Sequence, residues 1–121
     1  MDNILTGLNE LAKDLEGDLR YDEMTTTIYS TDASVYKEKP TAVIWPRNKS
    51  DLKKIILFAG KNRQSIIMRA GGTSLAGQVV GKGIVVDISR YMNHILEINK
   101  EGMWVRVEPG VVLDELNQAL K

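Results

Sequence analysis

Cysteine is absent from the 121-residue chain, which excludes disulfides, iron–sulfur ligation and thiol chemistry within it and is compatible with a reducing compartment. No apolar run approaches the roughly 18 residues of a membrane-spanning helix. The N-terminus Met1-Asp-Asn-Ile-Leu-Thr-Gly has neither the basic nor the apolar segment of a secretory signal, so the chain reads as cytoplasmic and not membrane-spanning. An excess of charge of one sign is missing too. Sixteen Lys and Arg balance sixteen Asp and Glu, and no stretch interleaves basic with aromatic residues. Nucleic acid is therefore not an expected partner, and any anionic partner is local and small.

What is present is 43% hydrophobic residues with mixed charge, the composition of a globular domain that buries roughly two-thirds of its unfolded surface. Residues 1–17 predict a helix. Ile4, Leu5, Leu8, Leu11, Ala12 and Leu15 recur at intervals of three and four, Asp2 or Asn3 can cap its start, and Gly17 can stop it. Residues 18–40 turn polar and predict a long irregular segment, a length that in a compact domain is often functional.

From residue 41 the pattern predicts α+β (α/β) structure. Thr41–Trp45 is a short strand ended by Pro46. A helix follows, capped within Asn48–Ser50 and facing inward through Leu52, Ile55, Ile56 and Ala59, and Ser65–Met68 is the next strand. Such a crossover implies parallel strands, with Pro46 and Arg69 at the same carboxyl edge, where open parallel sheets bind ligands. Ile84–Ile88 reads as a third buried strand. His94–Ile98 and Met103–Val107 alternate as an antiparallel hairpin with one wet face. Val112, Leu116, Ala119 and Leu120 keep helical spacing up to Lys121 without a cap, the expected mark of a chain that continues.

Between the second and third of these strands lies Arg69-Ala-Gly-Gly-Thr-Ser-Leu-Ala-Gly-Gln-Val-Val-Gly-Lys-Gly83, which holds five of the ten glycines. Gly71-Gly72 can adopt φ > 0 and present consecutive N–H donors, Thr73 and Ser74 add hydroxyls, and Arg69 adds a fixed positive charge. That is the chemistry of a pyrophosphate cradle. Neither Gly-x-Gly-x-x-Gly nor a P-loop lysine is present, so these residues support anion binding without choosing the ligand. Glycines that merely turn the chain between strands are the alternative.

The blocks Thr31–Tyr36 (TDASVY), Pro40–Pro46 (PTAVIWP), Arg69–Gly77 (RAGGTSLAG), Val85–Arg90 (VVDISR) and Val107–Gly110 (VEPG), in this order, resemble the FAD-binding (PCMH-type) domain of the vanillyl-alcohol oxidase / p-cresol methylhydroxylase flavoproteins. Within them the chain is most similar to the branch that holds the flavin-carrying component of glycolate oxidase and D-lactate dehydrogenase. The resemblance implies that Ala70, Gly71, Gly72, Thr73, Ser74, Leu75, Ala76, Gly77 and Gln78 wrap the FAD pyrophosphate. It places Pro46 near the cofactor and Pro109-Gly110 toward the flavin, with Arg69 beside them. Some members attach flavin through a histidine at the position of Thr73, so the FAD here is expected to be non-covalent. The resemblance further implies that 41–121 is the N-terminal part of the FAD-binding domain, with a second FAD subdomain and a substrate domain following. These would carry the catalytic groups, so no catalytic residue is expected here and the segment alone is expected to be inactive. The implied whole is a flavin-dependent dehydrogenase of small 2-hydroxy acids such as glycolate or D-lactate, working with an electron acceptor. A non-redox nucleotide- or phosphate-binding module, or a purely structural subdomain, is the competing reading.

The remaining residues read as supporting structure. His94, the sole histidine, reads as structural or solvated. Trp45 and Trp104 read as core, Tyr29 and Tyr36 as pins holding the polar segment to the sheet, and Asp87 as a partner for Arg90. No metal site is expected: neither Asp87 nor Asp32, which could organise the polar segment, has the spaced carboxylate partner that acid–base catalysis or a metal site would require.

Overall fold

Two of the apolar runs along the chain, Ala42–Trp45 and Ile84–Asp87, become strands buried on both faces. The computed structural model describes residues 2–30, 39–70 and 83–120. In chain order it holds α1 (Asp2–Asp14), β1 (Asp18–Arg20), α2 (Glu23–Ile28), β2 (Ala42–Trp45), α3 (Lys49–Lys61), β3 (Ile66–Arg69), β4 (Ile84–Asp87), β5 (Ile95–Asn99), β6 (Trp104–Val107) and α4 (Leu113–Leu120).

Strands β1 to β4 form one sheet in the order β1-β2-β4-β3. β2 and β3 both pair parallel to β4, with Val43 opposite Val85 and Ile67 opposite Val85. β2 and β4 are central and wholly buried, which is why they read as unbroken apolar runs rather than alternating ones. Ile44, Ile84 and Val86 face Leu11 and Leu15 of the N-terminal segment and Ile55 and Ala59 of α3. Val43, Trp45 and Val85 face the other way, toward Tyr29, Ile67 and Tyr91. The helix face of α3 is narrower than its spacing suggested, since Ile56 points to solvent.

The stretch 18–40, expected to be irregular, contains β1 and α2. β1 pairs antiparallel to β2, Leu19 opposite Ile44, and it makes mixed a sheet expected to be parallel. Three residues with one apolar side chain carry no readable period, so only the pairing partner defines this strand. α2 is a six-residue helix, EMTTTI, poor in strong helix formers. Its start is held by Asp22, whose carboxylate accepts from the Thr25 N–H at 3.0 Å and the Thr25 hydroxyl at 2.9 Å.

The hairpin β5–β6 forms as expected and is a separate two-stranded sheet. Its turn is closed by the Gly102 N–H donating to Asn99 Oδ1 at 2.7 Å. Trp104, expected in the core, is 42% exposed, and Leu96 and Ile98 are exposed beside it. Among the described residues no second layer covers this ribbon. No side chain of α4 is buried either.

Candidate functional site

The parallel strands bring three chain exits to one edge: Trp45-Pro46 after β2, Arg69-Ala70 after β3 and Asp87-Ile88 after β4. Ile88 N–H donates to Arg69 C=O at 2.9 Å and so locks two of these exits together. Pro109-Gly110 arrives at the same place from the hairpin. Gly110 N–H donates to Met92 C=O at 2.7 Å, and a Cβ at Gly110 would lie 2.5 Å from the carbonyl oxygen of Ile88 and 2.6 Å from that of Met92. Only glycine permits this approach.

Of the residues predicted to hold a cofactor, the fold thus gathers Pro46, Arg69, Ala70, Pro109 and Gly110 around one strand edge. Gly71, Gly72, Thr73, Ser74, Leu75, Ala76, Gly77 and Gln78 lie outside the described residues, as do the TDASVY block and Tyr36. Pro46 is fully buried; the residue that faces outward at that exit is Arg47. Gly83 closes the glycine-rich segment at the opposite end of the sheet. Its φ is +106°, and its carbonyl accepts from Thr41 N–H at 2.7 Å.

Each parallel strand ends in, or is soon followed by, an arginine laid on an aromatic ring. Arg47 lies 4.4 Å from the centroid of Tyr91, Arg69 4.9 Å from Tyr29 and Arg90 4.1 Å from Trp45. An aromatic face orients the planar guanidinium, and its N–H groups are the donors that an anion takes. Arg90 also stands 3.5 Å from Asp18 on β1, whose carboxylate accepts from the Tyr91 hydroxyl as well. Among the described residues Arg47 has no acidic partner.

Beneath the arginines lies a hydrogen-bonded network. The Tyr29 hydroxyl donates to Asp87 Oδ2 at 2.6 Å and accepts from Trp45 Nε1 at 3.1 Å, with the two rings edge to face at 5.7 Å. Asp87 Oδ1 accepts from the Ser89 N–H at 2.8 Å and its hydroxyl at 2.6 Å. Burial, and then the bond to Asp87, push the Tyr29 phenol above its ordinary value of 10.0, so it remains a neutral donor at physiological pH. The expected Asp87–Arg90 pair does not form. Ser89 and Tyr29 occupy both oxygens of this buried carboxylate, and Arg90 turns to Trp45 and Asp18 instead. Tyr29 pins the polar segment to the sheet as expected, and Trp45 is core.

Asp51, in the first turn of α3, supports the edge from behind. It is fully buried, and its carboxylate accepts from the backbone N–H groups of Glu16 at 3.0 Å, Gly17 at 2.8 Å and Arg47 at 3.0 Å. Burial pushes its pKa up, but these three donors outweigh burial and hold it below the usual carboxylate value. The available sequence signal was an acidic residue in a helix's first turn, which ordinarily faces solvent. His94 is exposed, with Nδ1 2.5 Å from Glu108 Oε1. Among the described residues no group of three or more His, Asp or Glu is placed to hold a metal, and no helix is long and apolar enough to cross a membrane.

The carboxyl edge of the three parallel strands, lined with oriented arginines, has the chemistry of a binding domain for an anionic, nucleotide-type ligand. The chain belongs to the FAD binding domain family, which matches residues 40–121. It is 43% identical over 122 residues to D-2-hydroxyglutarate dehydrogenase of Escherichia coli (strain K12), covering 98% of this chain and 12% of that protein. It is 35% identical to the mitochondrial D-lactate dehydrogenase [cytochrome] of Kluyveromyces lactis, covering 82% of this chain and 18% of the relative. The fold superimposes on a crystal structure of p-cresol methylhydroxylase with substrate bound at a TM-score of 0.78 and 13% identity, over 99% of this chain and 25% of that one. That likeness establishes a shared fold. The chain therefore spans about an eighth to a quarter of the proteins it matches.

FAD is the cofactor of this family, and the residues present fit it. The Arg47, Arg69 and Arg90 guanidinium groups at the strand edge suit a diphosphate. The glycine-only approach at Gly110 brings Pro109-Gly110 to the same edge.

Proposed function

We propose that this chain is the cofactor-binding start of an FAD-dependent dehydrogenase acting on a small 2-hydroxy acid, with residues 41–121 as the N-terminal part of its FAD-binding domain. The observation that carries this reading is the 43% identity to a D-2-hydroxyglutarate dehydrogenase over 98% of the chain. It favours a 2-hydroxydicarboxylate over the glycolate or D-lactate expected from sequence, because the D-lactate enzyme stands at 35%.

When bound, FAD would supply a hydride acceptor for the substrate C2–H, with a separate acceptor to take the electrons onward. The share of this chain is to bind and orient. Arg69 and Ala70 open the segment Gly71–Gln78, whose backbone N–H groups and Thr73 and Ser74 hydroxyls are proposed to take the diphosphate. Pro109-Gly110, anchored on Ile88 and Met92, is proposed to face the flavin. Thr73 offers no imidazole to bond the flavin, so the cofactor is held non-covalently. A cytoplasmic setting belongs to the same proposal.

The test is anaerobic. The whole protein, purified yellow with its flavin absorbance, is mixed in turn with D-2-hydroxyglutarate, D-lactate and glycolate. Bleaching by D-2-hydroxyglutarate at the lowest concentration supports the reading; no bleaching by any 2-hydroxy acid overturns it. Flavin released to the supernatant by acid precipitation supports non-covalent binding, and flavin retained in the pellet refutes it.

A further inference from the structure

Tyr29 lies where four elements meet. It stands just past the end of α2. Its hydroxyl reaches Asp87 at the end of β4 (2.6 Å) and takes the Trp45 indole N–H at the end of β2 (3.1 Å). Its ring lies 4.9 Å from the guanidinium of Arg69, the last residue of β3. The two functions are separable: the hydroxyl fixes the ring against the sheet, and the ring faces the guanidinium. Ser89 donates twice to the other oxygen of the Asp87 carboxylate, Oδ1, which orients the Oδ2 that faces Tyr29. The edge-to-face contact with Trp45 limits tilting of the ring. Arg90 lies over the Trp45 ring, so two arginines at the ends of neighbouring strands rest on one aromatic pair.

Arg69 occupies the junction between a rigid strand and the glycine-rich segment. An arginine side chain has many rotamers, and confining it before the ligand arrives reduces the entropy lost on binding. We propose that Tyr29 is a positioning residue for FAD: through its hydroxyl on Asp87 and its ring under Arg69, it holds the Arg69 guanidinium ready for the cofactor's diphosphate. This rests on the reading of the chain as an FAD-binding segment. It also gives α2 a purpose, since this short helix delivers Tyr29 to the edge and leads directly into the TDASVY block.

The experiment is a double-mutant cycle on the whole protein. FAD dissociation constants are measured by flavin fluorescence for the wild type, Tyr29→Leu, Arg69→Met and the double variant, with thermal unfolding of each apoprotein alongside. Tyr29→Leu is expected to weaken FAD binding about tenfold, and to have less than a twofold effect once Arg69 is already Met, because coupled residues are not additive. Tyr29→Phe keeps the ring and loses the hydroxyl, so it is expected to fall between wild type and Tyr29→Leu. It serves as the test should Tyr29→Leu fail to fold. A merely structural Tyr29 would lower the unfolding temperature equally in both Arg69 backgrounds. In that case the losses of FAD affinity add, and the proposal is overturned. Tyr29→Phe binding FAD as tightly as wild type overturns the role of the hydroxyl. A wild-type protein that binds no FAD overturns instead the reading on which the proposal rests.

Discussion

Asp51 offers the sharpest test of how this fold is held together. Replacing it with alanine removes one carboxylate that accepts from Glu16, Gly17 and Arg47 backbone N–H groups at 2.8 to 3.0 Å. A buried donor left without an acceptor is unfavourable by roughly 1–3 kcal/mol. These donors are only partly buried, so water can reach some of them once the side chain is gone. Taking the low end for each gives a loss of about 3 kcal/mol, on the order of 10 °C in melting temperature for a domain of this size. The loss should also be local. Amide exchange of Glu16, Gly17 and Arg47 should accelerate, while β4, several residues away in the sheet, keeps its protection. Asp51→Asn, with one acceptor oxygen retained and an NH₂ facing N–H donors, should be intermediate. Because the folded-state pKa lies below the ordinary 3.8, the contribution is fully present above that value and is lost as the pH falls through the folded pKa. The gap between wild type and variant should therefore be constant near neutrality and close below about pH 4. An Asp51→Ala protein that melts within about 2 °C of wild type, with unchanged exchange at Gly17 and Arg47, would refute the reasoning.

Other consequences follow from the same geometry. Gly17→Ala would place a Cβ 2.0 Å from the carbonyl oxygen of Trp45, so it should destabilise by about 1–3 kcal/mol or more, readable by urea unfolding. Gly83→Ala forces a side chain onto φ +106° and to 2.6 Å from Ser65 C=O, with an expected loss of about 1–3 kcal/mol in the same assay. Gly72→Val in the whole protein should abolish FAD binding, and unchanged flavin content would refute the role given to the glycine-rich segment. In an alkaline absorbance titration Tyr29 should ionise above the ordinary value of 10.0, and that late component should vanish in Tyr29→Phe. Since its pKa is raised, any stability it contributes is present below pH 10 and fades as the pH rises through the folded value.

The local code was legible wherever a residue pattern had one meaning. Ile84-Val-Val and Ala42-Val-Ile-Trp are too short and too apolar to be anything but buried strands. Asn48 caps α3 because its side chain accepts from the Asp51 N–H at 2.9 Å. Asn99-Lys-Glu-Gly102 turns between two alternating runs. The ordered blocks from Thr31 to Gly110 carried the family and its cofactor, since motif order survives without knowledge of contacts. Short elements without a period were not legible: β1 exists only because β2 offers a pairing edge, and α2 because Asp22 caps it.

The amino-acid sequence by itself thus determined the α/β pattern, the glycine-rich segment and the kinship with flavoproteins. One feature of the site was also written there, an arginine within three residues of the end of each parallel strand at 47, 69 and 90. Only the tertiary structure decided which ring each arginine rests on, that Asp87 belongs to Tyr29 and Ser89 rather than to Arg90, and that Asp51 faces inward. The reason is physical. Propensity and periodicity are properties of neighbours in the chain, whereas a buried carboxylate or a stacked guanidinium is assigned its partner by residues about 30 to 60 positions away that only the packed sheet brings within 3 to 5 Å.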